Sequence, residues 1–410
     1  MYSEILAHEH ERHEKIIETL SKRFTTYGYK RIKTSAFERY DLYSNVRTSI
    51  NQNEMIKVID YTGELLVLRP DVTIPLTQEL VQMNGSLPEE MRYYYVQEVF
   101  RQTFRENEEI GKTQAGVEYF CESSPEADAE TIMLACHALR DVGFSDVKIE
   151  IGHAGFFNEL IADLSLSAEL TAELKIIIQA KNVVEIGPFL ENLEIDPSVK
   201  EVLEQLPFLY GAPETVFERL QNLRVSESVK QAINYLQQTY EIADLYGLKK
   251  HIVIDLGLIN RMGYYSGIIF QGYVEKFGKP VLMGGRYDSL SEEFGIKRPA
   301  IGFACEIDSL VKATAHKELQ ERFSIDITVL YEESRMKYAI DITNELRERD
   351  YRVLSKPMKQ TFHSKDSMYT IQLTELVNEL TDEEGTTEFA DFKELLEMIV
   401  SRKGVPEWTI

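Results

Sequence analysis

The sequence predicts an α+β protein: an antiparallel sheet carrying helices, a helical insertion near 156–246, and a small α/β module from about residue 321. Three observations carry this. β-branched and aromatic runs cluster on both sides of a long stretch where leucine and isoleucine recur at helical spacing, broken by Pro188, Pro197, Pro207 and Pro213. Short strand patterns then resume from Ile252. The tail alternates strand, helix and strand. Strands grouped apart from helices indicate an α+β arrangement, and alternation in the tail indicates an α/β module. At 410 residues, 43% of them hydrophobic, the chain can bury two or three globular domains.

The elements follow in order. Ile16, Ile17, Leu20 and Phe24 mark an amphipathic helix that Gly28 closes with a left-handed residue. A strand is predicted over 30–36. Ile56–Ile59 and Leu65–Leu68 flank Thr62-Gly63 and read as a hairpin. Asp71, followed by Thr73, starts a helix to Leu80. Tyr93–Phe100 and Gln114–Phe120 read as strands joined by a polar loop, Arg101–Thr113. A helix over 128–140 places Ile132, Ala135 and Leu139 on one face, with Gly143 behind it, and Val147–Ile151 returns as a strand. After the insertion, strands are expected at 252–256, 264–270 and 280–283, with Gly284-Gly285 as a turn. The tail supplies a strand at 325–331, a helix at 335–349 and a strand at 351–355.

Composition narrows the function classes. The formal net charge of -23 disfavours non-specific binding to a polyanion, since phosphate contacts need lysine and arginine. From Leu373 to Met398 nine acids face one base, Lys393, so this segment offers RNA a poor surface and reads as a solvated helix face. Cys121, Cys136 and Cys305 are scattered and odd in number, which suggests neither a disulfide framework nor a zinc site. No apolar run reaches the length of a membrane span and the start lacks a leader pattern, so a cytoplasmic protein is expected. His8, His10 and His13 do not share one helical face, and no metal site is expected.

Six blocks then occur in a fixed order: Leu68-Arg69-Pro70-Asp71-Val72-Thr73, Val99-Phe100-Arg101, Gln114-Ala115-Gly116-Val117-Glu118, Gly263-Tyr264-Tyr265-Ser266-Gly267, Gly284-Gly285-Arg286-Tyr287-Asp288 and Gly302-Phe303-Ala304. Over roughly residues 10–315 this series resembles the catalytic core of histidyl-tRNA synthetase, a class II aminoacyl-tRNA synthetase. Several ordered blocks are far more specific than any one of them. The resemblance implies a homodimer built through the region of 30–36, where Ser35 replaces the usual proline. It assigns Asp71 and Thr73 to the α-amino group of histidine, Gln114 and Glu118 to further polar contacts, and Tyr264, Tyr265 and Tyr287 to the ring. Arg101 matches the arginine that contacts ATP phosphate.

Two cations of the synthetase are absent: their positions are Asn260 and Ser309. One oriented donor is worth about 100- to 1,000-fold in rate, so two losses remove much of the activation chemistry. Arg261, one residue along, would face the opposite side of a strand. The loop Arg105-Glu106-Asn107-Glu108-Glu109 is acidic where phosphates would lie. The chain is therefore similar to the synthetase-like regulatory subunits of ATP phosphoribosyltransferase. That resemblance implies no catalysis and no cofactor. It implies a short-form catalytic partner in the first step of histidine biosynthesis, feedback by histidine, and a hetero-octamer of four catalytic and four regulatory chains. A working histidyl-tRNA synthetase with unusual motifs is the alternative. A synthetase-like protein that senses something else also stays open, because fold does not determine function.

Overall fold

The computed structural model describes residues 2–44, 46, 50–82, 90–102, 109–162, 164, 166–259, 263–315, 325–358, 367–383 and 385–401. Two compact units are formed, Met1–Ala315 and His316–Ile410.

The first unit is built on strands β1 (Lys30–Arg31), β2 (Phe37–Arg39), β3 (Lys57–Ile59), β4 (Leu65–Leu68), β5 (Met91–Phe100), β6 (Gly111–Phe120), β7 (Val147–His153), β8 (Tyr210–Gly211), β9 (Ile252–Asp255), β10 (Ile268–Val274), β11 (Leu282–Arg286) and β12 (Ala300–Glu306). Nine of them form one sheet in the order β1-β5-β6-β12-β11-β10-β7-β9-β8. Its centre, from β5 across to β7, is antiparallel throughout. Parallel pairings, β1 with β5 and β7 with β9, occur only towards its ends, so the sheet is mixed rather than purely antiparallel. The small sheet β2-β4-β3 contains the expected hairpin, whose turn is held by Asp60 accepting from Thr62 and Glu64.

Around the sheets run α1 (Tyr2–Thr26), α2 (Tyr40–Ser44), α3 (Thr73–Gln82), α4 (Pro125–Asp141), α5 (Ala154–Ile161), α6 (Ala168–Gln179), α7 (Val183–Glu191), α8 (Pro197–Gln205), α9 (Pro213–Gln221), α10 (Glu227–Leu245) and α11 (Ile307–Thr314). One face of the large sheet buries Ile149, Ile151, Phe270 and Phe303 against Leu20 and Phe24 of α1 and Ile132 and Leu139 of α4. Gly28 and Gly143 end those helices at φ +81° and +106°, a backbone that glycine adopts without a Cβ penalty. The proline-punctuated insertion is helical: Pro197 and Pro213 open α8 and α9 in their first turns, while Pro188 lies inside α7.

Several local expectations are corrected. The strand over 30–36 is only β1; the chain then leaves the ladder and re-pairs in the small sheet. Buried Arg69 is the cause. Its guanidinium bonds the Thr34 carbonyl at 3.1 Å, the Ser35 carbonyl, and the Glu98 carbonyl at 2.7 Å, taking the place of ladder partners. The strand predicted from Tyr264 begins at Ile268, since Ser266 and Gly267 both turn their amides to the Arg286 carbonyl. Gly284-Gly285 is not a turn but the middle of β11, for a steric reason given below.

The second unit contains β13 (Ile325–Tyr331), α12 (Met336–Arg347), β14 (Val353–Pro357), β15 (Ser367–Leu373), β16 (Asn378–Asp382), β17 (Gly385–Glu388) and α13 (Phe392–Ser401). Its sheet runs β14-β13-β15-β16-β17. The acidic run is mostly not a helix face. Glu379 and Asp382 lie on β16 and Glu388 on β17, while Glu394 and Glu397 lie on α13; Glu384 is outside the described residues. No helix among the described residues is long and apolar enough to cross a membrane.

Candidate functional site

A cleft of about 930 Å³ opens over the other face of the large sheet. All seven residues expected to hold an amino acid line it: Asp71, Thr73, Gln114, Glu118, Tyr264, Tyr265 and Tyr287. Arg101 lines it as well. Three different parts of the chain therefore meet here: the start of α3, the inward face of β6, and the loops flanking β10 and β11.

Part of the floor, at Gly302, is bare backbone. A Cβ on Gly302 would lie 2.0 Å from Glu118 Oε2 and 2.3 Å from the Val117 carbonyl. On β11 a Cβ on Gly285 would reach 2.7 Å from the Tyr265 ring, while one on Gly284, on the opposite, core-facing side, would sit 2.5 Å from Phe303 Cβ and 2.6 Å from the Phe270 ring. These glycines leave room for side chains from neighbouring strands, which is why the pair belongs in β11 rather than in a turn.

Glu118 is the centre of the polar network. It is 2% exposed, accepts from Thr73 Oγ1 at 2.6 Å, and accepts from the Tyr287 hydroxyl. Burial pushes its carboxyl up to about 8; the two hydrogen bonds oppose that shift and the nearby Asp71 adds to it. Asp71, 5% exposed, receives the Ile74 amide at 2.8 Å and so caps α3. Burial raises its carboxyl too, against the pull of Arg101, the α3 amides and the Tyr264 hydroxyl. The rings of Tyr264 and Tyr265 lie 4.9 Å apart, and Tyr264 meets Tyr287 edge-on at 5.8 Å.

A stability test follows from Glu118. Its folded carboxyl titrates about pH 8, above the 4.5 of an ordinary glutamate. Between those values the folded chain keeps a proton that the unfolded chain has released, so this group's contribution is full below 4.5 and is lost as pH rises through 8. Glu118→Gln is expected to melt increasingly above the parent from pH 5 to pH 8.5. Thermal unfolding across that range checks it, and a constant offset would contradict it.

The half of the site that would hold a nucleotide is different. Arg101 turns its Nε to the Pro70 carbonyl at 2.8 Å. Ser309 is carried on α11, half-buried, and does not line the cleft. Asn260 and Arg261, and residues 105–108 of the acidic loop, lie outside the described residues. Lys112 pairs with Glu306 at 2.7 Å across β6 and β12. The described lining carries seven carboxylates (Glu54, Asp71, Glu109, Glu118, Glu150, Asp255, Glu306) against three cations (Arg101, Lys112, Lys181). Such a cleft favours a cation and repels a triphosphate.

Some lining residues had not been anticipated. Tyr95 of β5 is buried beside Glu118 and Asp71. At the far end Asp255, 4% exposed, pairs with Lys181 at 2.9 Å; the lysine ammonium also lies 3.4 Å from the Tyr210 ring centre. Tyr210 donates to Glu150 at 3.3 Å. A signal was present for Glu150 and for the pair Gln271 and Tyr273: each alternates with core residues along its strand, which turns it to the cleft.

The antiparallel centre, the glycine-floored cleft and its carboxylate-and-tyrosine wall define a class II aminoacyl-tRNA synthetase-like protein of the histidyl type. The histidyl-tRNA synthetase family model matches residues 2–310. A histidyl-tRNA synthetase from Nostoc sp. PCC 7120 shares the fold, with a TM-score of 0.81 over 96% of each chain at 20% identity. An ATP phosphoribosyltransferase regulatory subunit/histidyl-tRNA synthetase from Bacillus halodurans C superposes with a TM-score of 0.76 at 27% identity, covering 89% of this chain and 94% of that one. The ATP phosphoribosyltransferase regulatory subunit of Oceanobacillus iheyensis is 41% identical over 86% of both chains. That of Alkaliphilus metalliredigens is 35% identical over 73% of this chain and 76% of its own. The chain belongs to the family of ATP phosphoribosyltransferase regulatory subunits.

Proposed function

We propose that the protein is the non-catalytic, cytoplasmic partner of a short-form ATP phosphoribosyltransferase catalytic subunit. It binds histidine in the cleft and passes that occupancy on as feedback in the first step of histidine biosynthesis. One observation carries the reading: the residues expected to hold an amino acid converge on one cleft, while its described lining carries more carboxylates than cations. Asp71 receives the ammonium group, Glu118 and Gln114 supply polar contacts, and the tyrosines bound the ring. The ligand acts by binding one state of the complex more tightly than the other; such couplings amount to about 1–3 kcal/mol.

Assembly is part of the proposal. The small sheet exposes Phe37, Val58, Ile59 and Leu65, with fully exposed Tyr61 at its hairpin tip. An apolar strip of this kind suits a self-complementary contact between two copies. Dimers of this chain then combine with the partner in the four-plus-four hetero-octamer. Nucleic acid has no part in it, given the charge of -23.

No histidyl-adenylate should form. Pyrophosphate exchange with histidine and ATP is expected to stay at background, and turnover near a median enzyme rate of about 10 per second would restore the synthetase alternative. Co-purification from the native host should bring a short catalytic phosphoribosyltransferase with the chain, and addition of histidine should lower the activity of that mixture.

A further inference from the structure

Away from the cleft, the first long helix carries a second cluster of chemistry-bearing side chains. His10, His13 and Glu14 stand at i, i+3 and i+4 of α1, on one face, and one ligand atom from each lies within 4.8 Å of the others. The rings of His10 and His13 are stacked, 20° from parallel with centroids 6.4 Å apart. His13 Nδ1 faces Glu14 Oε1 at 3.6 Å, and that nitrogen is buried without a hydrogen bond. An orphaned ring nitrogen aimed at a carboxylate, with a second imidazole alongside, suits a metal ion as the missing partner.

We infer that His10, His13 and Glu14 form a binding site for a divalent transition metal of the zinc class. Two imidazoles and one carboxylate favour zinc, cobalt or nickel over magnesium or calcium, which take oxygen ligands. Three protein ligands leave a coordination position for water or for an outside group.

The surroundings of His13 strengthen the assignment. Its other nitrogen, Nε2, lies 3.9 Å from Asp308 Oδ1 on α11. At that distance the contact is electrostatic rather than a hydrogen bond; a small turn of the ring on metal binding would bring its N–H to the carboxylate, the arrangement that orients histidine ligands. Asp308 is anchored in turn, since its Oδ2 accepts the Thr113 amide at 3.1 Å. Thr113 adjoins Gln114 of the cleft, so the metal site is tied to the strand that carries Gln114 and Glu118. His8 is not part of this cluster. It points to Glu11 at 3.6 Å, and the sequence pattern misled by grouping three histidines when the third ligand is a glutamate.

Tag-free full-length protein titrated with zinc chloride, and with cobalt chloride followed by visible absorption, tests the site. One equivalent of metal per chain is expected. His10→Ala and Glu14→Gln, both surface changes that leave the fold intact, should each weaken binding at least 10-fold, and His8→Ala should leave it unchanged. Asp308→Asn, acting through His13, should weaken it about 10-fold. Absence of binding at millimolar metal would overturn the assignment. So would an equal loss in His8→Ala and His10→Ala, which would mean adventitious capture by surface histidines.

Discussion

Asp128→Ala is expected to cost the first unit about 3–5 kcal/mol, the largest single loss foreseen for a side chain outside the apolar core. Asp128 is fully buried on α4 and faces Arg286 of β11, which is 3% exposed; their ion pair includes a bond to Arg286 Nε at 3.0 Å. The Tyr235 hydroxyl, from α10 of the insertion, donates to Asp128 at 2.9 Å. With the carboxylate removed, a buried guanidinium keeps only Asp288 and the Glu122 carbonyl. Denaturant unfolding gives the loss directly. Tyr235→Phe should cost about 1 kcal/mol by the same measure, as one neutral donor is removed. A loss below about 1 kcal/mol in Asp128→Ala would mean that Asp288 takes over the arginine.

Histidine affinity is expected to fall about 10- to 100-fold in Asp71→Asn, the range for removing one charge-assisted hydrogen bond. Asparagine is the informative replacement. Asp71 also caps α3 through the Ile74 amide, and asparagine preserves that bond while discarding the charge. Alanine would remove both and add roughly 1 kcal/mol of instability. Calorimetry on the two variants, with sizing of the complex with the catalytic subunit, separates ligand binding from assembly. Unchanged affinity in Asp71→Asn would leave Asp71 as a helix cap alone. Glu118 supplies a pH signature for the same ligand. Its carboxyl holds a proton up to about pH 8, and an ammonium ligand prefers the ionised form. Affinity should therefore rise from pH 6 to pH 8 with release of protons, and Glu118→Gln should flatten that slope.

The residues that read clearly in the sequence were those governed by local rules. Phe24 and Ile132 repeat at helical spacing and lie in the core; Gly28 and Gly143 sit at positive φ where helices end. The cleft residues were legible through the resemblance, because their blocks keep a fixed order although the side chains converge only in the fold. What escaped was decided by distant partners. Nothing near Ser35 signals that Arg69 will bind the carbonyls of residues 34 and 35 and break a strand there. Nothing in Gly284-Gly285 shows that Phe303 and Tyr265 will press on both positions and demand glycine in mid-strand. Lys181 and Asp255 pair across 74 residues of chain, beyond any window of periodicity.

The floor of the cleft has a consequence for ancestry. Its shape rests on glycines such as Gly302 and on strand pairing that the whole unit needs in order to fold, while Ser309 sits on α11, after the last strand of that unit, and does not line the cavity. Arginines can be lost from such peripheral positions without disturbing the strands beneath. A descendant of a charging enzyme could therefore give up its reaction one side chain at a time and still keep the cleft. Its fold would have outlived its chemistry.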